Sequence, residues 1–243
     1  MLYKEKKQVS FFQSELLLSA GISNHGFFTK GLLNMSFDEQ TIEQSLSYVL
    51  ESFPLKSMTY MHQVHATDMV LVNHFPVKKR WQCVRAVDGL MTQERGQGLL
   101  VKHADCQAAL IFDPKHRVVA ALHVGWRGAV ADFFMHAFRV LYHQFSTEAK
   151  DCLVAISPSL GPEAAEFKGY QDYFPPFFTK ALVKENHFDL WHLSFLQLQS
   201  IGVKSAHIDI AKICTYANAQ LCHSYRNSNE KNHYKRGGSF ISL

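Results

Sequence analysis

Residues 98–129 have the sequence GLLVKHADCQAALIFDPKHRVVAALHVGWRGA, and this stretch sets the fold class of the chain. It contains three apolar runs, each separated from the next by polar residues, glycine or proline. Such runs predict short β-strands. The runs are continuously apolar rather than alternating, which indicates strands buried on both faces. A sheet of this kind needs a covering layer on each side, so the stretch predicts a layered protein with a β-rich centre.

Further strands are predicted on both sides of this stretch. Upstream they are SMTYM at 57–61, DMVLV at 68–72 and VDGLM at 87–91. Downstream they are AHIDI at 206–210, HSYR at 223–226 and SFISL at 239–243.

Helices are predicted where the apolar period changes to three or four residues. The clearest helix spans about 126–145, with Val130, Phe133, Phe134, Ala137, Phe138 and Leu141 on one face. A second helix is predicted at about 38–52, because Asp38 can cap its N-terminus. A third is predicted at about 189–201. Strands and helices together indicate an α+β protein.

Composition excludes several classes of protein. Of 243 residues, 47% are hydrophobic, which excludes intrinsic disorder and permits one large core. We expect a single domain over residues 1–243. The net charge of +4, from 25 basic and 21 acidic residues, is too small to indicate nucleic-acid binding. Nothing in the sequence identifies a protein partner.

The cysteines and the apolar runs predict where the protein resides. Five cysteines without a Cys-x-x-Cys pair argue against a disulfide framework and against a four-thiolate zinc site. No apolar run approaches the roughly 18–20 residues that cross a bilayer. We therefore expect a cytoplasmic protein without a membrane partner.

Three reactive side chains stand at the ends of predicted strands, namely His65, Cys106 and His123. A thiolate with two imidazoles suits zinc or copper and leaves a fourth position for water or substrate. Their separations of 41 and 17 residues are not a metal signature, however. A buried thiol and two core histidines explain the same residues, and on chemistry alone that ordinary interpretation is preferred. His62 and His103 are left out of the ligand set, because each stands three residues before a candidate.

Other candidate residues concern anions and protons. Arg127, in the Gly-Trp-Arg-Gly turn that opens the long predicted helix, can help to bind an anion. Asp105 can orient a ligand or accept a proton, or it can cap a turn. The loop ISPSLGPEAAEF at 156–167 leads into a predicted short helix, from which Glu166 can reach a pocket. A plain surface turn is the alternative for Glu166.

Several separated motifs give the chain a recognisable pattern. They are HGFFTK at 25–30, QVHATD at 63–68, VDGLMT at 87–92, HADC at 103–106, HVGWRG at 123–128, SPSLGP at 157–162 and SYR at 224–226. In this order they resemble the YfiH family. That family is also called the laccase-domain or multicopper polyphenol oxidase-like family, and its members are regarded as purine nucleoside phosphorylases.

The resemblance implies a fold, a metal and a reaction. The fold is an α/β/β/α layered sandwich with mixed sheets, shared with the catalytic domains of cytotoxic necrotising factors. The metal is zinc, with copper as the alternative, held by His65, Cys106 and His123. The reaction is phosphate-dependent cleavage of adenosine, inosine or guanosine, with adenosine deamination and methylthioadenosine phosphorolysis as further activities. The partners are thus a purine nucleoside and phosphate.

These implications assign roles to the remaining candidates. Cys106 and His123 are expected to serve catalysis through the metal, and Arg127 to bind the phosphate. Asp105 or Glu166 is expected to transfer protons. None of the 14 histidines stands two positions from another, so the His-X-His pairs of a multicopper centre are absent from the sequence.

Two other functions stay open, one permitted by the shared fold and one suggested by departures from the family pattern. Lys30 stands where the family usually has arginine, and GLLNMS at 31–36 replaces a glycine-rich loop. One alternative is a metal-free hydrolase in which Cys106 is the nucleophile and His123 its base. The other is a catalytically silent module that keeps the metal for stability.

Overall fold

The computed structural model describes residues 1–36, 38–73, 80–228 and 235–243. In these ranges the strands are β1 (Leu2–Lys6), β2 (Val9–Gln13), β3 (His25–Phe28), β4 (Ser57–His62), β5 (Met69–Leu71), β6 (Trp81–Arg85), β7 (Gly89–Thr92), β8 (Gln97–His103), β9 (Gln107–Asp113), β10 (Val118–Val124), β11 (Leu153–Ile156), β12 (Leu182–Lys184), β13 (His187–Phe188), β14 (Ile208–Ile210) and β15 (Gly237–Ile241). The α-helices are α1 (Glu15–Ser19), α2 (Glu39–Ser52), α3 (Trp126–Val130), α4 (Phe133–Phe145) and α5 (Leu190–Ile201). Short 3₁₀ turns cover Ala149–Asp151, Tyr170–Asp172, Pro176–Ala181 and Ser205–His207.

Most strands belong to two mixed sheets. The first has the order β1-β2-β3-β15-β8-β4-β6, and the second has the order β14-β11-β9-β10-β7-β5. Parallel pairs, such as β4 with β8, occur beside antiparallel pairs, such as β9 with β10. The small β12–β13 pair forms a separate ribbon.

The two sheets pack face to face. This is seen in their central strands, whose alternate residues lie in different hydrophobic cores. Leu99 and Val101 of β8 share the middle core with Leu110 of β9. Leu100, between the first two, points the other way and packs with Leu46 of α2. Strands buried on both faces are therefore continuously apolar, as residues 98–129 predict.

Helices cover the outer face of each sheet. Apolar residues of α2 cover the first sheet, and Phe133 and Phe134 of α4 pack with Ile111 of β9 on the second. Leu193 of α5 joins the same outer core. The resulting α/β/β/α layers confirm the predicted α+β sandwich.

The predicted helix at 38–52 is confirmed with its cap, since the Asp38 carboxylate accepts a hydrogen bond from the Thr41 amide at 2.8 Å. The third predicted helix corresponds to α5. The single helix predicted at 126–145 is wrong, because Asp132 adopts a left-handed conformation with φ of 52°. This residue separates the short α3 from α4, a break that apolar spacing alone does not reveal.

Two other predicted elements are also wrong. Residues 223–226 form no strand, because the Arg226 amide donates to the Asp105 carboxylate instead of to a neighbouring strand. The short helix before Glu166 is a turn, and Glu166 itself makes an isolated bridge with His187. Among the described residues, no helix combines the length and apolar character needed to span a bilayer.

Candidate metal centre and its cavity

His65, Cys106 and His123 meet where the chain passes from one sheet to the other. His65 lies in the loop after β4, Cys106 in the connection from β8 to β9, and His123 near the end of β10. Their potential ligand atoms all lie within 4.8 Å of one another. The Cys106 Sγ is 3.9 Å from the His65 Nε2. An ion with tetrahedral coordination needs donor atoms that lie this close together.

The position of His65 depends on Asp88, a buried residue immediately before β7. The Asp88 carboxylate accepts hydrogen bonds from the amides of Val64, His65 and Ala66 at 3.1, 3.1 and 2.9 Å. His65 has a φ of 61°, a left-handed conformation that costs free energy in a residue with a side chain. These three hydrogen bonds stabilise the turn that directs the His65 ring toward Cys106.

The same carboxylate orients His123. Asp88 Oδ1 lies 2.7 Å from His123 Nδ1, so this nitrogen carries the proton and the Nε2 is left to act as a ligand. Burial disfavours the imidazolium form. The negative Cys106 sulfur and the Asp88 carboxylate outweigh that penalty and raise the pKa of His123 to about 9.

Cys106 has the properties of a thiolate ligand. Burial raises the pKa of its thiol, but the charges and hydrogen bonds of His123 and His65 outweigh burial and lower the pKa to about 6. A metal ligand must be deprotonated, and this environment favours the deprotonated sulfur at neutral pH. The fully buried Cys152, by contrast, has its pKa raised by burial.

Gly125 leaves the space in which these ligands converge. A Cβ at this position would lie 2.9 Å from the His65 ring and 3.2 Å from the Cys106 Sγ. At Gly128, three residues later, a Cβ would meet nothing closer than 3.6 Å. The donor set and this cradle fit a metal ion.

A cavity of about 410 Å³ opens beside the three candidate ligands. Its wall includes the basic residues Lys102, Arg127, Arg226 and Arg236 and the aromatic residues Trp126, Phe167 and Tyr225. Apolar surface with a few charged groups is typical of a small-molecule site. The cavity can therefore bind a flat, partly apolar ligand together with an anion.

The other predicted site residues differ in whether they line the cavity and in what they contact there. Arg127 lines the cavity, with its guanidinium carbon 4.1 Å from the centroid of the Trp126 ring. Asp105 also lines the cavity, but its carboxylate oxygens accept hydrogen bonds from the Thr215 hydroxyl at 2.6 Å and the Arg226 amide at 2.8 Å. Glu166 is not among the lining residues, and its carboxylate lies 3.6 Å from Lys168 Nζ at the surface.

Sequence reasoning missed Asp88 and Arg226. Asp88 stands in the motif VDGLMT, and Arg226 stands in SYR, but neither was assigned a role from its type or position. The signal for Asp88 was an acidic residue beside a wholly apolar strand, because a fully buried carboxylate needs several hydrogen-bond donors. His103, excluded as a ligand, lines the cavity and contacts the Ser239 hydroxyl at 2.6 Å through its Nε2.

The chain matches the family model described as multi-copper polyphenol oxidoreductase laccase over residues 19–243. The chain belongs to this family. A structure of the Bacillus licheniformis protein YfiH aligns to 99% of the laccase-family chain and 98% of its own chain, with a TM-score of 0.81 and 18% identity. This match shows the shared fold, and the family model confirms the resemblance to the laccase-domain family.

Curated relatives of this laccase-family chain carry the name purine nucleoside phosphorylase. The protein from Bacteroides thetaiotaomicron is 30% identical over 169 residues, which cover 63% of this chain and 62% of that protein. The protein from Rickettsia conorii is 26% identical over 219 residues, covering 85% of this chain and 84% of the relative. The chain thus spans less than two thirds of the first relative and most of the second.

Proposed function

We propose that this protein is a zinc-dependent purine nucleoside phosphorylase. It cleaves the N-glycosidic bond of adenosine, inosine or guanosine with phosphate, and it can also deaminate adenosine and cleave methylthioadenosine. The convergence of His65, Cys106 and His123 beside a cavity with basic and aromatic walls is the observation that carries this proposal. The names of two relatives, at 30% and 26% identity, support the same reaction. The free cysteines favour a reducing compartment, and we propose the cytoplasm.

Zinc is the ion that we propose for the site. Two imidazoles and one thiolate are common zinc ligands and leave one position for substrate. When bound, zinc supplies a Lewis acid that stabilises negative charge developing on the substrate. Copper suits the same donors, but the histidine spacing gives no support to a multicopper oxidase.

The residues of the chain position the reactants. The aromatic residues Trp126, Phe167 and Tyr225 give the cavity an apolar wall for a purine, and Arg127 offers a guanidinium to the phosphate. Phosphorolysis requires this anion to be held near the anomeric carbon of the nucleoside. Both oxygens of Asp105 accept hydrogen bonds, so we assign this residue a positioning role. Glu166 lies outside the cavity wall and is removed from the proton-transfer candidates.

One observation favours a second candidate, a metal-free Cys/His hydrolase. The Asp88 carboxylate lies 2.7 Å from His123 Nδ1, and a ring nitrogen of His123 lies within 4.8 Å of the Cys106 sulfur. An acid that orients a histidine beside a nucleophile is the arrangement of a catalytic triad. The two candidates differ in whether Cys106 holds a metal in the resting protein.

Metal analysis and product analysis test the proposal together. We expect about one zinc per chain in the purified protein and in the Cys83→Ala control, which removes an exposed thiol, and none in Cys106→Ala. Incubation with adenosine and phosphate should give adenine and ribose 1-phosphate with the first two proteins only. Metal-free protein with rapid alkylation of Cys106 would favour the hydrolase instead. Bound zinc without any product would indicate the silent module.

A further inference from the structure

Two arginines lie on one connected layer of aromatic rings in the cavity wall. The Arg127 guanidinium carbon is 4.1 Å from the Trp126 ring centroid, and that of Arg226 is 5.2 Å from the Phe167 ring centroid. The two rings contact each other edge to face, with centroids 6.3 Å apart. Stacking on rings restrains a guanidinium while leaving its edge available for hydrogen bonds.

Neither arginine is neutralised by a carboxylate in the described part of the chain. Asp105 supplies the carboxylate among the described lining residues, and its oxygens are occupied by the Thr215 hydroxyl and the Arg226 amide. The Glu166 carboxylate pairs with Lys168. The two guanidiniums thus present positive charge to the cavity.

Two hydrogen bonds hold the Arg226 guanidinium in place and leave further N–H donors for a ligand. Its Nη1 donates to the Ala164 carbonyl at 2.8 Å, and its Nη2 donates to the Glu166 carbonyl at 2.7 Å. A guanidinium has five N–H donors, so roughly three remain for a ligand. The two carbonyl bonds orient the group in advance, which reduces the entropy lost when a ligand binds.

Both arginines are tied to the metal ligands by short stretches of backbone. The Arg226 amide donates to Asp105, the residue before Cys106. Arg127 follows Gly125 by two residues, and a Cβ at Gly125 would lie 2.9 Å from the His65 ring and 3.2 Å from the Cys106 Sγ. An anion bound by the two arginines therefore lies in the same cavity as the His65–Cys106–His123 set.

We propose that Arg127 and Arg226 form one oxyanion subsite that binds a phosphate group. This inference rests on the proposed function and assigns the position of its phosphate. A tetrahedral dianion offers enough acceptor oxygens for two guanidiniums, and arginine binds phosphate with paired hydrogen bonds. The phosphate group comes from inorganic phosphate or from the phosphoryl ester of a nucleotide.

Binding of inorganic phosphate alone tests the subsite without any turnover. Calorimetry on the zinc-loaded protein compares wild type, Arg127→Met, Arg226→Met and the control Arg139→Met, which removes an exposed arginine of α4 outside this cavity. Each cavity variant should raise the Kd for phosphate about 10- to 100-fold, the effect of losing charge-assisted hydrogen bonds. Arg139→Met should bind phosphate like wild type.

Two further measurements separate binding from folding. Zinc content should be unchanged in Arg127→Met, because the hydrogen bonds to the 164–166 loop come from Arg226. Arg226→Lys should bind phosphate more tightly than Arg226→Met, because it keeps the charge and loses the planar fork. Phosphate affinity equal to wild type in both methionine variants would overturn the proposal, as would a wild-type protein that binds neither phosphate nor adenosine monophosphate.

A parallel experiment with adenosine monophosphate identifies the source of the phosphate group. If inorganic phosphate is the natural ligand, adenosine should bind independently of the arginines, and the monophosphate should compete with phosphate without being cleaved faster than adenosine. If the phosphoryl ester is the natural ligand, the monophosphate should be the better substrate, and both methionine variants should lose that advantage. Arginine-dependent phosphate binding without nucleoside cleavage would refute the proposed function and leave the subsite standing.

Discussion

An aspartate–histidine pair lies at each end of the β9–β10 hairpin, and the aspartate of each pair is buried. At the turn, Asp113 Oδ2 lies 2.7 Å from His116 Nδ1, and at the open end, Asp88 Oδ1 lies 2.7 Å from His123 Nδ1. Both carboxylates also accept backbone amides. Burial opposes their ionisation, but the hydrogen bonds outweigh it and lower the pKa of each carboxyl group.

The two pairs differ in what the second ring nitrogen of the histidine can reach. The His116 side chain is 25% exposed on the turn, whereas His123 is 3% exposed and lies against Cys106 and His65. Asp113 and His116 are three residues apart, but Asp88 and His123 are 35 residues apart. An aspartate that orients a histidine is therefore not sufficient for a site, which requires further donors from other chain segments.

The largest expected effect comes from removing each carboxylate in turn. Asp88→Asn and Asp113→Asn should each lower the free energy of unfolding by about 2–4 kcal/mol, because each leaves buried donors unsatisfied. Only Asp88→Asn should also weaken zinc binding, by about 10- to 100-fold, since it releases both His65 and His123. Urea unfolding and competition with a chelator measure the two effects. Equal losses of zinc affinity in the two variants would contradict the distinction.

A buried histidine whose ring is hydrogen-bonded to backbone atoms extends the comparison. His25 Nδ1 donates to the Ile22 carbonyl at 2.8 Å, and its Nε2 accepts from the Ser14 amide at 2.9 Å. Burial, with a smaller contribution from the positive charge of Lys4, lowers the pKa of His25 from 6.5 to about 4. Below pH 6.5 the unfolded chain therefore binds a proton that the folded protein does not.

The free energy of unfolding should consequently fall as the pH drops from 6.5 toward 4, and this residue should account for about 3 kcal/mol of the fall. Above pH 6.5 its contribution to stability should be fully present. His25→Asn lacks the titrating group and should show a shallower pH dependence, although it is less stable at neutral pH. Unfolding free energies of both proteins between pH 4 and 8 provide the test. Parallel curves over that range would rule out His25 as the cause.

The smallest expected effect concerns the backbone that follows the open end of the hairpin. Gly125→Ala should cost about 1–3 kcal/mol of stability and weaken zinc binding, because its Cβ would press on His65 and Cys106. Gly128→Ala, at a position within α3, is the matched control, since its Cβ would make only ordinary van der Waals contacts. We expect this control to keep zinc affinity and to gain up to about 1 kcal/mol from helix propensity. Unfolding and zinc titration of the two variants measure this difference. Equal zinc affinities would show that zinc binding does not require a glycine at position 125.

The candidate site was predictable in part. The residue types of His65, Cys106 and His123 allowed a metal set, but composition and spacing favoured ordinary core residues, and only the resemblance to a family selected the metal. Glu166 failed as a cavity residue because its predicted helix is a turn that directs the carboxylate to Lys168. Arg226 was missed because the predicted strand at 223–226 is instead a loop held by Asp105.

The sequence by itself determined the features whose partners are close along the chain. The apolar runs specified strands buried on both faces, Asp38 capped α2, and Asp113 and His116 stand close enough in sequence to pair within one turn. Only the tertiary structure decided which distant groups meet. Asp88 reaches His123 across 35 residues and Arg226 reaches Asp105 across 121, because sheet pairing and loop packing bring them together, and no local pattern encodes such long-range contacts.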